Sequence, residues 1–434
     1  MQFYSLNRQA PKVDFEVATI NGQAPDKGLY FPEHIPQVRK KLISEIENYT
    51  NEEIAFEIIK PFVGNTIPEE ELLRIVKETL NFPIPLVGVT DDIFSLELFH
   101  GPTLAFKDIG ARFMSRCLGH FVKDNDKKLT VLVATSGDTG GAVANGFYDV
   151  DGVDVVILYP SGKVSSVQEK QLTTLGKNIH ALEVEGSFDD CQQMVKEAFA
   201  DAELNKKLFL TSANSINVAR WLPQQFYYFF AWKQWAAKND PPVMSVPSGN
   251  FGNICAGLLA QASGLPVKHF IAACNVNDTV PRFLNTAVYE PHKAVATISN
   301  AMDVGDPSNF TRILEIFKQD ANHLKRSVTG YTINDDETKQ VIKDVYDQKK
   351  YLLDPHGAVA YASLEKYLVD NSSAKGIFLE TAHPVKFSDV VEKATSVAIE
   401  FPDSMKYLLT LKKKSVQINT EYAALKDFLI STCG

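Results

Sequence analysis

The chain has 434 residues, 45% hydrophobic and 22% charged, an ordinary globular composition with enough apolar material for two or three packed units. Lys and Arg total 44 against 53 Asp and Glu, a formal charge of −9. This argues against a nucleic-acid or other general polyanion binder, although a local basic pocket can still hold one phosphate.

In chain order, Met1-Gln-Phe-Tyr-Ser-Leu-Asn-Arg8 lacks the basic start and apolar core of a secretory signal, and no apolar stretch is long enough to span a bilayer. A cytoplasmic location without a membrane partner is expected. Cys117, Cys191, Cys255, Cys274 and Cys433 are scattered, with no Cys-x-x-Cys pair and no histidine at zinc spacing; they read as reduced thiols, and no metal site is expected. Residues 1–90 carry helical patterns, such as Glu69–Leu80 after Pro68, and end in Phe82-Pro-Ile-Pro-Leu86, which predicts an N-terminal mainly helical unit.

Beyond that point short β-branched runs alternate with polar or glycine-rich loops and helical patterns. Leu129–Ala134 runs into Thr135-Ser-Gly-Asp-Thr-Gly-Gly141, Val153–Tyr159 into Pro160-Ser-Gly-Lys163, and His180–Val184 precedes a helical stretch opened by Ser187. Val243–Val246 leads to Pro247-Ser-Gly-Asn-Phe-Gly-Asn253, His269–Ala273 to Cys274-Asn-Val-Asn-Asp278, and Gly376–Leu379 to Glu380-Thr-Ala-His-Pro384. This alternation predicts an α/β fold of two open, mostly parallel sheets covered by helices, with ligands beyond the carboxyl ends of the strands. A smaller α/β domain is expected over 91–235 and a larger one over 236–434. The run Lys412-Lys-Lys414 in the tail reads as a solvated face.

Four segments carry candidate chemistry. Lys107 follows Phe106 in Leu98-Phe-His-Gly-Pro-Thr-Leu-Ala-Phe-Lys-Asp108; an amine packed against apolar neighbours becomes a usable nucleophile and base. Taken alone, the segment reads more simply as an exposed lysine opening a helix. The loops at 135–141 and 248–253 each lead into a helix, where free N–H groups and the dipole favour an anion. Neither matches a P-loop or the Gly-x-Gly-x-x-Gly of dinucleotide folds. One such loop is explained by a tight strand-to-helix turn; two carrying Ser, Asn or Asp fit an anion-binding crevice better. In Thr211-Ser-Ala-Asn-Ser-Ile-Asn-Val-Ala-Arg220, amides, hydroxyls and a guanidinium match the donors that fix a phosphate, and equally a capped helix with Arg220 exposed. Thr381 is a hydroxyl just beyond an apolar strand, with Glu380 and His383 reading as solvated neighbours. The four share one chemistry if the lysine forms a Schiff base with an aldehyde cofactor that carries a phosphate.

At this point the chain resembles the pyridoxal-phosphate enzymes of fold type II and, within them, the threonine synthase family. The motifs that carry the resemblance are Gly28-Leu-Tyr-Phe-Pro-Glu33, His100-Gly-Pro-Thr-Leu-Ala-Phe-Lys-Asp108, Ala134-Thr-Ser-Gly-Asp-Thr-Gly140, Ser212-Ala-Asn-Ser-Ile-Asn217 and Val246-Pro-Ser-Gly-Asn-Phe-Gly252. They continue in Asn277-Asp-Thr-Val-Pro-Arg-Phe283, Ser299-Asn-Ala-Met-Asp-Val304, Asp354-Pro-His-Gly-Ala-Val-Ala-Tyr361 and Thr381-Ala-His-Pro384, and stop short of the C-terminal tail. The resemblance implies pyridoxal 5'-phosphate as cofactor, Lys107 as its Schiff-base lysine, a phosphate cradle of Gly249, Asn250, Phe251, Gly252 and Asn253, and Thr381 facing the pyridine nitrogen. It further implies Ser136, Gly137, Asp138 and Thr139 at the substrate carboxylate, and Asn214, Ser215 and Arg220 as candidates for the substrate phosphate. Relatives of the shorter branch have Asn at the position of Asp138. An ionised Asp138 is expected to repel a carboxylate, so the loop is expected to act chiefly through backbone N–H groups and the hydroxyls of Ser136 and Thr139.

The implied reaction converts O-phospho-L-homoserine and water to L-threonine and phosphate, in a monomer or homodimer. Two other readings remain: a phospholyase of the same fold releasing 2-oxobutyrate, ammonia and phosphate, and a non-catalytic binding protein on a decayed scaffold. The second is disfavoured by the intact lysine and glycine loops.

Overall fold

A computed structural model describes residues 1–123 and 128–434. Its strands are β1 (Phe3–Ser5), β2 (Tyr30–Pro32), β3 (Leu86–Gly88), β4 (Ile93–Glu97), β5 (Leu129–Ala134), β6 (Val153–Pro160) and β7 (Ile179–Val184). They continue with β8 (Phe209–Ser212), β9 (Val243–Pro247), β10 (His269–Cys274), β11 (Val328–Thr332), β12 (Gly376–Glu380) and β13 (Ser415–Ile418). One sheet has the order β11-β10-β9-β12-β4-β3, parallel except for β3 against β4; a second has the order β13-β7-β6-β5-β8 and is parallel throughout. Every residue of β5 and β6 is buried, as parallel strands covered on both faces require. Ahead of the sheets, the short β1–β2 ribbon accompanies helices Asn51–Val63 and Glu69–Thr79. The first of these is fixed by a capping box between Thr50 and Glu53.

Sheet membership does not follow the boundaries expected from sequence. β4, just inside the expected smaller unit, pairs in register with β12 in the six-stranded sheet. β13, far down the expected larger unit, pairs with β7 and completes the five-stranded sheet. Leu425 and Leu429 of the terminal helix Tyr422–Cys433 are buried in one apolar cluster with Val184 and Cys191. The chain therefore passes between the sheets three times, after β4, β8 and β12, and all four candidate segments lie on or beside these passages and strand ends. The tail lysines also differ from expectation: Lys413 Nζ is 2.6 Å from both Glu169 and Glu183, and Lys414 N donates to Thr173 O. Carboxylates of another element capture Lys413, so it docks the tail.

Candidate active site

The loop that carries the lysine is held from several sides. Beyond β4, Leu98 N donates to Glu380 O, His383 N to Leu104 O and Phe106 N to Thr381 O at 2.9, 3.0 and 2.9 Å, so the 98–106 loop is laced to the end of β12. Leu104 turns through φ 57°, and Lys107 opens the helix Lys107–Val122. The buried Asp108 accepts from Thr103 N at 2.9 Å and from the Thr103 hydroxyl. A Cβ on Gly101 would lie 2.4 Å from an Asp108 oxygen, so a larger residue here would displace the carboxylate that Thr103 holds. Tyr227 donates its phenol to Phe106 O, while Lys386 Nζ and Gln171 Nε2 reach Thr103 O at 2.9 and 3.0 Å. The amine is thereby placed by backbone contacts on both sides of it.

Around the amine, charges alternate. Lys107 Nζ lies 3.9 Å from Asp138 Oδ2; Asp138 Oδ1 is 2.7 Å from Lys386 Nζ and 2.9 Å from Gln168 Nε2. Burial lowers the Lys107 pKa, the cations Lys386 and Arg220 lower it further, and Asp138 and Asp354 oppose them. Burial alone would raise the Asp138 carboxyl, but Lys386 and Lys107 outweigh it and hold it well below the usual carboxylate range. Asp138 is therefore ionised, as the repulsion argument assumed, yet its charge is matched by the fully buried Lys386. That match removes the reason to expect it to repel a carboxylate.

Two helix starts carry anion-receptive backbone, and the first opens at Asp138 beside the amine. In the first, Gly137 turns through φ 139° with Gln168 pressed where its Cβ would be, and Thr135 Oγ1 accepts from the N–H groups of Gly137 and Gly140 at 3.0 and 2.8 Å. The first-turn N–H groups of Asp138 and Thr139 have no intrahelical acceptor, which together with the Ser136 hydroxyl suits a carboxylate. In the second, Phe251 adopts φ 61° and opens the helix Gly252–Ala262. Asn250 is anchored by Ser308 N to its Oδ1 at 2.7 Å and by Asn309 Nδ2 to its O at 3.1 Å. Gly249 lies so close to Met302 that a Cβ would sit 2.6 Å from the Met302 Cα. Tyr228 donates to Asn253 Oδ1 at 2.8 Å, and Asn253 Nδ2 is a buried donor without a partner among the described residues. A first turn of free N–H groups with an orphaned amide beside it fits a phosphate, and with Lys107 it fits pyridoxal phosphate.

The remaining candidates are distributed around these loops. Ser215 Oγ accepts from Asn250 Nδ2 at 2.8 Å, so the polar 211–220 segment abuts the second loop, and Asn214 N donates to Ser212 Oγ. Arg220 is buried rather than exposed: Nη1 holds Ala213 O, Nε has no partner among the described residues, and its carbonyl lies 2.7 Å from where a Gly110 Cβ would be. Thr381 is buried at the end of β12. Glu380 is not a solvated neighbour but fully buried; His383 is half-buried, and burial together with His100 pushes it down to about 4. Lys386, Gln168, Asp108, Tyr227 and Asp354 also surround the lysine or its loop, roles that sequence reasoning did not assign. Lys386 offered one cue, a lysine within the apolar run Pro384-Val-Lys-Phe387.

Three family models match the chain: pyridoxal-phosphate dependent enzyme over 85–379, threonine synthase N terminus over 2–80, and threonine synthase C-terminal over 357–429. The last takes in much of the tail that the sequence motifs did not reach. A threonine synthase of Buchnera aphidicola is 44% identical over 432 residues, 99% of this chain and 100% of its own length. The crystal structure of threonine synthase from Escherichia coli matches with TM-score 0.92 at 43% identity over 99% of this chain and 100% of that one. The PLP-bound threonine synthase from Brucella melitensis matches with TM-score 0.94 at 35% identity over 100% and 99%. Among the described residues, no helix is long and apolar enough to cross a membrane.

Proposed function

The chain belongs to the threonine synthase family of pyridoxal-phosphate-dependent enzymes, and on that premise we propose that its substrate is O-phospho-L-homoserine, taken with water to L-threonine and phosphate. Its fold is type II, and its cofactor is pyridoxal phosphate. The observation that most supports the reading is the largely buried Lys107 amine, its side chain 17% exposed, 3.9 Å from an Asp138 whose charge Lys386 matches. We take the two anion-receptive helix starts, at Asp138 and after Phe251, to flank it.

In this reading Lys107 Nζ holds the cofactor covalently, the first turn after Phe251 with Asn250 and Asn253 holds its phosphate, and the Thr381 hydroxyl meets its ring nitrogen. Bound, the cofactor supplies an electron sink for proton loss next to the substrate amine and for expulsion of the γ-phosphate. Released from the cofactor, Lys107 takes the substrate α-proton, a task that its lowered pKa suits. Ser136 and the N–H groups of Asp138 and Thr139 hold the substrate carboxylate, with Gly137 shaping the turn. Asn214, Ser215 and Arg220 receive the leaving phosphate; the Arg220 Nε, without a partner among the described residues, and the Ser215 hydroxyl beside Asn250 support that assignment. We read the protein as a cytoplasmic monomer or homodimer with a small-molecule substrate.

Incubation with O-phospho-L-homoserine, assaying threonine and phosphate together, tests the reading. Equimolar threonine and phosphate are expected. Release of 2-oxobutyrate with phosphate and no threonine would sink it in favour of a phospholyase.

A further inference from the structure

The amine of the fully buried Lys386 lies 2.9 Å from Thr103 O in the lysine loop and 2.7 Å from Asp138 Oδ1. It comes from the turn Pro384–Phe387 beyond β12, whereas Asp138 opens the helix beyond β5 in the other sheet. The ion pair thus crosses between the two sheets at the point where the lysine loop also lies. Gln168 shares Oδ1 at 2.9 Å, which leaves Oδ2 turned toward Lys107 Nζ at 3.9 Å. Removing one partner of such a buried pair leaves an uncompensated charge.

We propose that Lys386 is a positioning residue of the reaction: by occupying Oδ1 of Asp138 and matching its charge, it limits how strongly this carboxylate holds the Lys107 amine in its ammonium form. The proposal rests on the reading of Lys107 as the proton-moving amine. Its consequence is electrostatic. Lys107 is faced by Asp138 from one helix, Lys386 from the turn after β12, Arg220 from the short helix Val218–Trp221 and Asp354 from the cap of the helix Pro355–Asp370, with Asp108 on its own helix. Among these Lys386 is a like charge behind a shared carboxylate. Without it, Asp138 has Lys107 as its remaining cationic partner, and the ammonium form of Lys107 gains. Without the Asp138 charge, Lys386 repels Lys107 directly, and the ammonium form loses.

The two changes therefore move the Lys107 titration in opposite directions, which a merely structural role does not. The test labels the full-length chain, stripped of cofactor, with acetic anhydride across the neutral and alkaline range and follows Lys107 acetylation by mass spectrometry. Lys386→Met is expected to raise the labelling midpoint by about one pH unit or more, Asp138→Asn to lower it by a similar amount, and Lys386→Arg to leave it near the wild-type value. A midpoint unmoved by both Lys386→Met and Asp138→Asn, or moved by both in the same direction, overturns the proposal. If Lys386→Met does not fold, the Asp138→Asn and Lys386→Arg arms decide: a midpoint unchanged in Asp138→Asn, or shifted upward in Lys386→Arg, overturns it equally. Turnover of O-phospho-L-homoserine is followed separately. Absent turnover with the expected labelling shifts counts against the substrate and not against Lys386.

Discussion

Phe106 N–H donates to the Thr381 carbonyl at 2.9 Å. The residue before the reactive lysine and the residue proposed to face the ring nitrogen are therefore joined by one backbone bond, and the neighbouring bridge between Ala105 and Ala382 extends the join. Two groups that must meet opposite ends of one cofactor are in this way placed by main chain rather than by mobile side chains. Such placement costs nothing further at the moment of reaction.

The first expectation concerns Lys107 itself. Lys107→Ala removes both the covalent anchor and the proton carrier, while the backbone bonds of Phe106 and Leu104 keep the loop in place. Turnover should fall at least about a thousandfold with the fold intact. Borohydride should fix the cofactor to the wild-type lysine, read as a mass increment on its peptide, and should fix none to the variant. Retention of substantial activity by the alanine variant would remove Lys107 from the mechanism.

A second expectation follows from the backbone of the phosphate loop. A Cβ on Gly249 meets Met302 Cα at 2.6 Å and Ala301 O at 2.9 Å, and both are backbone atoms that no rotamer change can move aside. Gly249→Ala must displace the loop, at a cost of about 1–3 kcal/mol. The displacement should appear as weaker cofactor retention, measured by dialysis and cofactor titration, together with a lower melting temperature. Wild-type cofactor affinity in this variant would mean that the loop does not hold the phosphate.

How much of this was legible beforehand depends on chain distance. The glycine loops and Lys107 stand in local motifs, and strands such as β5 and β6 are continuous apolar runs, so a short window identifies them. β4 and β13 escaped notice because they are short, in part polar or exposed, and join strands 283 and 234 residues away: β4 pairs Gly376 with Ile93, and β13 pairs Ser415 with Ala181. Lys386 escaped because a lysine reads as surface until its partner is known, and Asp138 is 248 positions earlier in the chain. Glu380 was misplaced for a related reason: a carboxyl after a strand looks solvated unless the helix packed over it is known, here with Gly357 against its Oε2.

The tail offers a third test. Lys413 bridges Glu169 and the nearly buried Glu183 at 2.6 Å each, tying 411–418 to the five-stranded sheet. Because Lys413 is about one-third exposed, water screens the pair, and Lys413→Met should cost only about 1 kcal/mol in urea denaturation. Adding Glu183→Gln should restore most of that loss, since it removes the charge left unpaired. A double variant no more stable than the single one would show that Lys413 acts through packing of its stem.

The last expectation is a pH dependence located beneath Thr381. Glu380 is fully buried; its Oε1 accepts from Asp354 N at 2.7 Å, and its Oε2 has no partner among the described residues. Asp354 is the better-served carboxylate, accepting from His356 N at 2.9 Å, Gly357 N at 3.2 Å and the His356 ring at Nδ1. Burial first, and the Asp354 charge second, push Glu380 well above its ordinary 4.5. The folded state therefore keeps a proton on Glu380 that the unfolded chain releases. A carboxyl with a raised folded pKa leaves stability untouched below the unfolded value and erodes it as pH rises from there toward the folded value. Glu380→Gln preserves the shape and cannot ionise, so it should escape this erosion. Its stability relative to wild type should be independent of pH below about 4.5 and should then rise by about 1.4 kcal/mol per pH unit until the folded Glu380 titrates. Urea midpoints collected from acid to neutral pH measure the difference directly. A difference that stays constant across that range would mean that Glu380 is charged in the folded protein and that the strand end supporting Thr381 is an anion rather than a neutral acid.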